Sequence, residues 1–343
     1  FKLFTLLAAL EQGYSVYDTI DSQGPCAILF PGNISLATTP IRNDAGPGGG
    51  VINLVAATAG SINCAFIRLS HEVGLHSVID MAQQLGVNPA EVPHSKYDFI
   101  PSVVIGAAAV KPIEMAGAYA AVADDGVFHT PSFINTVSDR TGNIIYRGLY
   151  PGRRVFSQQI AAEADVALRA VVTGGTGTAA SLYNRPVAGK TGTTSNNVDA
   201  WFNGFTPQLE TTVWMGNLQG EVPIIIHGYA VFGADYPAHT WHDYSAVVLA
   251  NQPVLQLPQV QWGLMPPTRF ITSLSLVHDD VLDHNFGVYT CGQGIANYQG
   301  AQAFQGGACA PTTTAPPVTV APTTVPATTP TTKSPPTTRP KKH

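Results

Sequence analysis

Residues 185–205, "RPVAGKTGTTSNNVDAWFNGF", hold the densest group of residues able to do chemistry in this 343-residue chain. Gly189-Lys190-Thr191 admits two chemistries. As the end of a phosphate-binding loop, its backbone N–H groups and lysine would cradle a nucleotide. Read as Lys190-Thr191-Gly192, the same letters form a triad suited to serine acyl transfer on peptides and β-lactams. The nucleotide reading needs a glycine five positions before Gly189 and a helix directly after the lysine, because the helix N-terminus completes the anion site. Asn184 occupies the first position, and "TGTTSNNVD", which runs into a strand, follows the lysine. Both conditions fail, and nucleotide binding is excluded.

Three letters do not establish the second chemistry, so its partners must be present elsewhere. Ser61-Ile62-Asn63 lies in "ATAGSINCAFIRLSHEVG", on or between helices, and Lys2 opens "FKLFTLLAALEQGYS". Taken singly, Lys2 reads as a snorkelling surface lysine and Ser61 as a helix cap. Taken together with Lys190-Thr191-Gly192-Thr193-Thr194, they supply the bases, hydroxyls and donors that acyl transfer to serine requires. Metal chemistry is not expected. His71 and His76 in "HEVGLH" are five apart, about 140° around a helix, where a zinc-binding pair would be four apart. His239 and His242 are three apart with no third ligand in view. No cofactor is called for.

The elements that must position these groups follow from pattern. Residues 1–12 read as a buried helix ended by Gly13, residues 18–50 as loop-rich, and residues 51–86 as two helical stretches closing at Leu85-Gly86. "KPIEMAGAYAAVADDG" is a punctuated helix, with Pro112 in its first turn and Gly126 past its end. "PSFINTVSDRTGNIIYR" predicts a hairpin turning at 139–142, and residues 157–173 a helix capped by Ser157. From 186 onward "VAGKTGTT", "AWFNGFTP" and "TTVWMGNL" read as short strands, the last two joined through 207–210, with Trp201, Phe202 and Phe205 as core. "GTG" at 175–177 reads as a turn. Helices followed by antiparallel strands predict an α+β fold in which Lys190 lies on a strand.

With these motifs in place the chain resembles the transpeptidase domain of class A (bifunctional) penicillin-binding proteins. The resemblance runs through "LEQGYS", "SINCAFIRL", "PIEMAGAYAAVADDGVFHTPSFI", "GTGTAA", "RPVAGKTGTTSNNVDAWFNGFTP" and "PAHTWHDY", over about residues 1–250. The long block "KTGTT…DAWFNGFTP" favours class A over class B proteins and over β-lactamases. The resemblance implies a β-lactamase/transpeptidase-like fold, an antiparallel sheet flanked by helices. It implies that Lys2 is the lysine of S-x-x-K, acting as base with its pKa lowered by burial among Phe1, Leu3 and Phe4 and by Lys190. Ser61 would relay a proton to the leaving amine and Asn63 would bond the substrate's peptide. Thr191 and Thr193 would hold the substrate's carboxylate end, the Thr193 N–H would serve the oxyanion, Gly192 would let substrate lie close to the strand, and Thr194 would belong to the same substrate-binding stretch. The implied partners are D-Ala-D-Ala stem peptides of peptidoglycan and β-lactam antibiotics. The nucleophilic serine is expected two positions before Phe1, so the chain reads as a C-terminal fragment, inactive alone. A glycosyltransferase domain and a membrane anchor are expected further upstream, with an extracytoplasmic location.

Composition bounds the rest. Net charge is −5, and residues 1–310 alone carry 13 basic and 22 acidic groups, which argues against nucleic acid as a partner. Residues 311–343 are nearly all Thr, Pro, Ala and Val, a composition that cannot bury a core and predicts a disordered tail. Residues 251–310 form an extension of unassigned structure. Four cysteines allow three pairings. Cys291 and Cys309 lie in a Gly/Gln-rich stretch that a disulfide would brace, and Cys64, beside Asn63, could pair with Cys26. Two rival functions share these features: a D,D-carboxypeptidase or β-lactamase on the same fold, and a non-catalytic β-lactam-sensing or wall-binding module.

Overall fold

The computed structural model of the chain describes residues 1–28, 40–44, 46 and 48–271. All fall within one compact unit, Phe1–Val288. The tail expected over 311–343, most of the 251–310 extension and the Cys291–Cys309 pair lie outside the described residues.

Helix α1 (Lys2–Glu11) is buried without interruption from Leu3 to Leu10, which an apolar run lacking a polar face dictates. Helices α2 (Leu54–Ala59), α3 (Asn63–Val73) and α4 (Leu75–Gln84) follow. The sequence predicts two helical stretches here, and the chain forms three. It breaks at Gly60-Ser61, where Ser61 takes φ +53°, and again at Gly74, φ +86°. The short α5 (His94–Tyr97) leads to α6 (Pro112–Ala123), whose Glu114 carboxylate accepts the Lys111 N–H at 3.2 Å. Past its end, Gly126 sits at φ +90°, and a Cβ there would come within 2.3 Å of the Phe156 carbonyl oxygen, so only glycine fits the turn. Helix α7 (Gln158–Gly174) is capped by Ser157, whose Oγ accepts the Ile160 N–H at 3.3 Å. The last helix is α8 (Tyr236–Val248).

Strand β1 (Thr19–Asp21) pairs antiparallel with β2 (Val51–Asn53). β3 (Val127–Phe128) precedes the hairpin β4 (Thr136–Ser138)–β5 (Ile144–Arg147) and pairs with β6 (Arg153–Arg154) on its far side. The main sheet is antiparallel β7 (Ala188–Thr193), β8 (Asp199–Thr206) and β9 (Leu209–Gly216), in that order. Leu209 and Glu210 already belong to β9, so the connection is the two residues Pro207-Gln208. A short hairpin, β10 (Ile225–Ile226) and β11 (Tyr229–Ala230), precedes α8. β12 (Phe270–Ile271) returns to pair in parallel with β1. The described part of the extension is therefore built into the first layer, with Leu257 and Ile271 buried in its core.

Strand alternation divides the interior. Phe205, with Ala188 opposite it, joins the large core of α1, α3, α4 and α6. Phe202, on the other face of β8, packs edge-on against Trp241 of α8, centroids 5.6 Å apart. The sheet thus lies between two helical layers, and β7 is one of its two edge strands.

Candidate active site

Lys2 stands in the first turn of α1, and its Nζ is the meeting point of three partners. It donates to the Ser61 carbonyl oxygen at 2.6 Å, the Ser61 Oγ at 3.0 Å and the Asn63 Oδ1 at 2.6 Å. Its stem lies by Phe66 of α3, with Nζ 5.9 Å from the ring centroid. Burial pulls its pKa from the usual lysine range down to about 8, against the opposing pull of Asp44. A lysine so placed can hold or release a proton near neutral pH.

The Lys2 partners sit where the α2–α3 junction puts them. Ser61 occupies the left-handed region, which turns its hydroxyl toward Lys2. Asn63 is the first residue of α3, and its Nδ2 donates to the Arg42 carbonyl at 2.9 Å and, at the longer distance of 3.4 Å, to Asp44. Cys64 is disulfide-bonded to Cys26, Cα atoms 5.7 Å apart. Of the pairings open to the sequence, this is the one the described residues contain. Cys26 also pairs with Ile41, N–H to O distances 2.8 and 2.9 Å in the two directions, and the Asn43 side chain accepts the Cys64 N–H at 2.9 Å. Residues 41–44 are thereby stapled beside Asn63.

Lys190 comes from the opposite direction. It pairs with Asn203, so alternation along β7 points it to the face that carries Phe205 and the α1 layer. Lys190 is buried, and its Nζ donates to the Thr191 carbonyl oxygen at 3.1 Å. Burial, then the charge of Lys2, hold its pKa well below the lysine range, with Asp44 opposing. The Lys2 charge thus acts on Lys190, whereas the lowering at Lys2 comes from burial and not, as the resemblance implied, from Lys190 as well.

The threonines divide. Thr191 Oγ1 lies 2.6 Å from Thr176 Oγ1, which brings the 175–177 turn against the strand. Thr193 Oγ1 accepts the Gly233 N–H at 3.0 Å. Gly233 lies on the backbone of β7 and β8: a Cβ there would meet the Trp201 oxygen at 2.3 Å and the Gly192 oxygen at 2.4 Å. Thr194 does not join the others. Its Oγ1 accepts the Asp199 N–H at 2.8 Å and its N–H donates to the Asp199 oxygen at 3.1 Å, closing the β7–β8 connection. That inward N–H fixes the ladder phase: in an antiparallel edge strand the next residue's N–H, that of Thr193, faces outward. The Thr193 N–H therefore points away from β8.

The structure brings Lys2, Ser61 and Asn63 into one cluster and sets Lys190, Thr191, Gly192 and Thr193 on an edge strand whose lysine enters the same field. Three participants escaped the sequence reading. Asp44 sits in a glycine-rich loop with no periodic signal, Thr176 in a stretch legible only as a turn, and Gly233 in a loop far along the chain. His239 and His242 make no metal site among the described residues; His242 Nδ1 pairs with the Ser181 carbonyl at 2.8 Å.

Comparison with known proteins bears on this arrangement. The family model "Penicillin binding protein transpeptidase domain" matches residues 1–221. Penicillin-binding protein 1A of Mycobacterium tuberculosis is 30% identical over 261 residues, covering 70% of this chain and 30% of the relative. That of Clostridium acetobutylicum is 34% identical over 215 residues, covering 62% of this chain and 26% of the relative. The chain thus spans about a third or less of such relatives' length. Among solved structures, the penicillin-binding protein PonA1 from M. tuberculosis superposes with a TM-score of 0.68 at 26% identity, covering 78% of this chain and 72% of that one. PonA1 in complex with penicillin V gives 0.66 at 28% identity, covering 75% and 70%.

Proposed function

Since the chain belongs to the penicillin-binding protein transpeptidase family, we propose that it supplies the walls of a peptidoglycan D,D-transpeptidase site. The observation that carries this reading is the Lys2 Nζ held between Ser61 Oγ and Asn63 Oδ1, with a buried lysine, Lys190, on an edge strand where it feels the Lys2 charge.

The nucleophile in this reading is a serine one helical turn before Lys2, two positions upstream of Phe1 in the parent protein. Lys2, as the free amine, takes the serine proton, and the alkoxide attacks the carbonyl of the penultimate D-Ala in a stem peptide. The oxyanion is held by the outward Thr193 N–H and by the serine's own N–H. Ser61 passes the proton from Lys2 to the leaving D-Ala amine, so the amide bond breaks as the serine ester forms. The amine of a neighbouring stem then attacks the ester, and the proton path runs in reverse. Asn63 orients the donor peptide, while Lys190, Thr191 and Thr193 hold its terminal carboxylate. A β-lactam enters the same way and remains as the acyl ester. The parent is an extracytoplasmic protein with an upstream anchor and glycosyltransferase domain; the Cys26–Cys64 disulfide suits an oxidising compartment of that kind.

Labelling with a fluorescent penicillin tests the assignment. The chain from Phe1 onward is expected to remain unlabelled, and the chain extended upstream through the serine to label stoichiometrically. Stoichiometric labelling of the unextended chain would mean that the nucleophile lies elsewhere. On pentapeptide substrates the extended chain is expected to yield cross-linked dimer; release of D-Ala with no dimer would make it a carboxypeptidase.

A further inference from the structure

Four side chains form a closed ring outside the acyl-transfer site. His76 in the first turn of α4 and His94 at the start of α5 stack with ring centroids 4.1 Å apart and planes inclined by 30°. Both Nδ1 atoms lie 2.8 Å from Asp98, one on each carboxylate oxygen. Both Nε2 atoms face Asp80, one helical turn after His76: His94 Nε2 is 3.2 Å from Oδ1 and His76 Nε2 is 3.5 Å from Oδ2.

The hydrogen-bond inventory of this ring closes only with added positive charge, carried either by protons on both imidazoles or by a bound metal ion. Asp98 as a carboxylate accepts only, so each Nδ1 must carry the proton. In the neutral imidazoles that leaves both Nε2 lone pairs aimed at the Asp80 carboxylate, three acceptor groups converging with no donor among them. A carboxylate bonded to the far nitrogen of an imidazole is also the arrangement that orients a histidine for metal ligation and raises its basicity. The donor atoms of His76, Asp80 and His94 lie within 4.8 Å of one another. Tetrahedral zinc, with ligand distances of about 2.0–2.1 Å, needs donors about 3.3 Å apart; the two Nε2 atoms lie 3.2 and 3.5 Å from different oxygens of Asp80, so a small turn of the carboxylate would present one oxygen to both. His76 is 64% exposed, so an ion has access and water can complete the shell.

We propose that His76, Asp80 and His94 form a structural site for one divalent transition-metal ion of the zinc class, with Asp98 orienting both imidazoles. The donor set of two imidazoles and one carboxylate excludes calcium or magnesium as the preferred occupant, since those ions take all-oxygen shells. This departs from the sequence reading, which weighed His76 only against His71. The histidine that matters is His94, brought over by the 85–93 connection. The site pins α5 to α4 at the end of α1 away from Lys2: Gln12, just past that end, donates to the Val73 carbonyl at 2.9 Å, beside the start of α4. Its role is accordingly to hold the helical layer together, and the transpeptidase assignment can fail without affecting it.

Metal titration of the intact chain, stripped by chelator, tests this. Zinc is measured by competition with a chromophoric chelator and cobalt(II) by its visible d–d absorption. The expected result is one ion per chain with micromolar or tighter affinity, and a melting temperature that rises with zinc. His94→Gln and Asp80→Asn each abolish binding and the zinc-dependent rise in melting temperature, and Asp98→Asn weakens affinity by about 10–100-fold. A His239→Gln/His242→Gln double variant binds like the parent. Circular dichroism of the zinc-free variants separates lost binding from lost folding. No binding by the parent chain at micromolar zinc would leave an ion-pair cluster only, and binding unchanged in His94→Gln would place the metal elsewhere; either overturns the proposal.

Discussion

Lys2 Nζ donates to Ser61 Oγ at 3.0 Å while the Ser61 backbone sits at φ +53°. A serine in the left-handed region costs about 1–2 kcal/mol relative to its relaxed backbone. The conformation persists because the break between α2 and α3 is held on both sides, by the Ser61 N–H to the Thr58 oxygen at 3.1 Å and by the Lys2 bond to the Ser61 carbonyl. The helix junction thus sets the backbone from which the hydroxyl reaches Lys2.

Replacing that hydroxyl separates chemistry from folding. In the chain extended through the upstream serine, Ser61→Ala is expected to slow penicillin acylation by about 10²–10⁴-fold, the range lost with a proton-transferring group. Ser61→Gly should be equally slow yet melt higher than Ser61→Ala, because glycine carries no left-handed penalty. Acylation of Ser61→Ala at the parent rate would remove Ser61 from the proton path.

The Lys2 ammonium, lowered by burial to about 8 from 10.5, sets a pH profile. Acylation of the extended chain is expected to rise with pH and level off above about pH 8, as the free amine accumulates. Asp44 raises the Lys2 pKa, so Asp44→Asn should move the rising limb to lower pH. The same shift makes protonated Lys2 a burden on the fold, and its contribution to stability improves as pH climbs from 8 toward 10.5. A limb that does not move in Asp44→Asn would show that another group titrates.

Loss of the disulfide should cost stability. Cys26 and Cys64 are 38 residues apart in sequence, and opening a loop of that size removes about 3–4 kcal/mol in the chain-entropy account. Urea denaturation of Cys64→Ala, or of the parent chain under reductant, is expected to show a midpoint lowered accordingly. Because Cys64 follows Asn63 directly, the variant should also acylate more slowly in the extended chain.

Glu210 is the second residue of β9, and its pKa is pushed up to about 8 by burial, with a 2.9 Å hydrogen bond from Thr212 pulling the other way. Its folded value lies above the ordinary 4.5, so the native state keeps a proton that the unfolded chain releases. Stability from this group is therefore full below about pH 4.5 and is lost as pH rises through about 8. Glu210→Gln is expected to flatten that fall and to gain on the order of 1–2 kcal/mol at pH 8, measured by chemical denaturation across the pH range.

The helices and the main sheet were legible because their signals are local. An unbroken apolar run makes α1 a core helix, Pro112 and Gly126 bracket α6, and alternation along "AWFNGF" assigns Phe202 and Phe205 to opposite faces of β8. The divided 51–86 region was less legible, since a helix break at Ser61 rests on a backbone conformation that serine adopts only under tertiary restraint. Thr194 shows the limit at a single residue: the motif places it beside Thr193, but the β7–β8 turn claims its hydroxyl and its N–H for Asp199.

By itself the sequence determined the chemistry on offer: Lys2, Ser61-Ile62-Asn63 and Lys190-Thr191-Gly192, each in an element that short-range pattern predicts, and no phosphate loop at Asn184. Only the tertiary structure decided which of these groups meet. It chose Cys26 for Cys64, carried Asp44 and Thr176 to the cleft, turned the Thr193 N–H outward from the edge strand, and closed His76 onto His94. The physical reason is range. Capping, periodicity and turn chemistry act over a few residues and are written in neighbouring letters. Which distant side chains converge depends on how buried faces pack, and no local pattern encodes that.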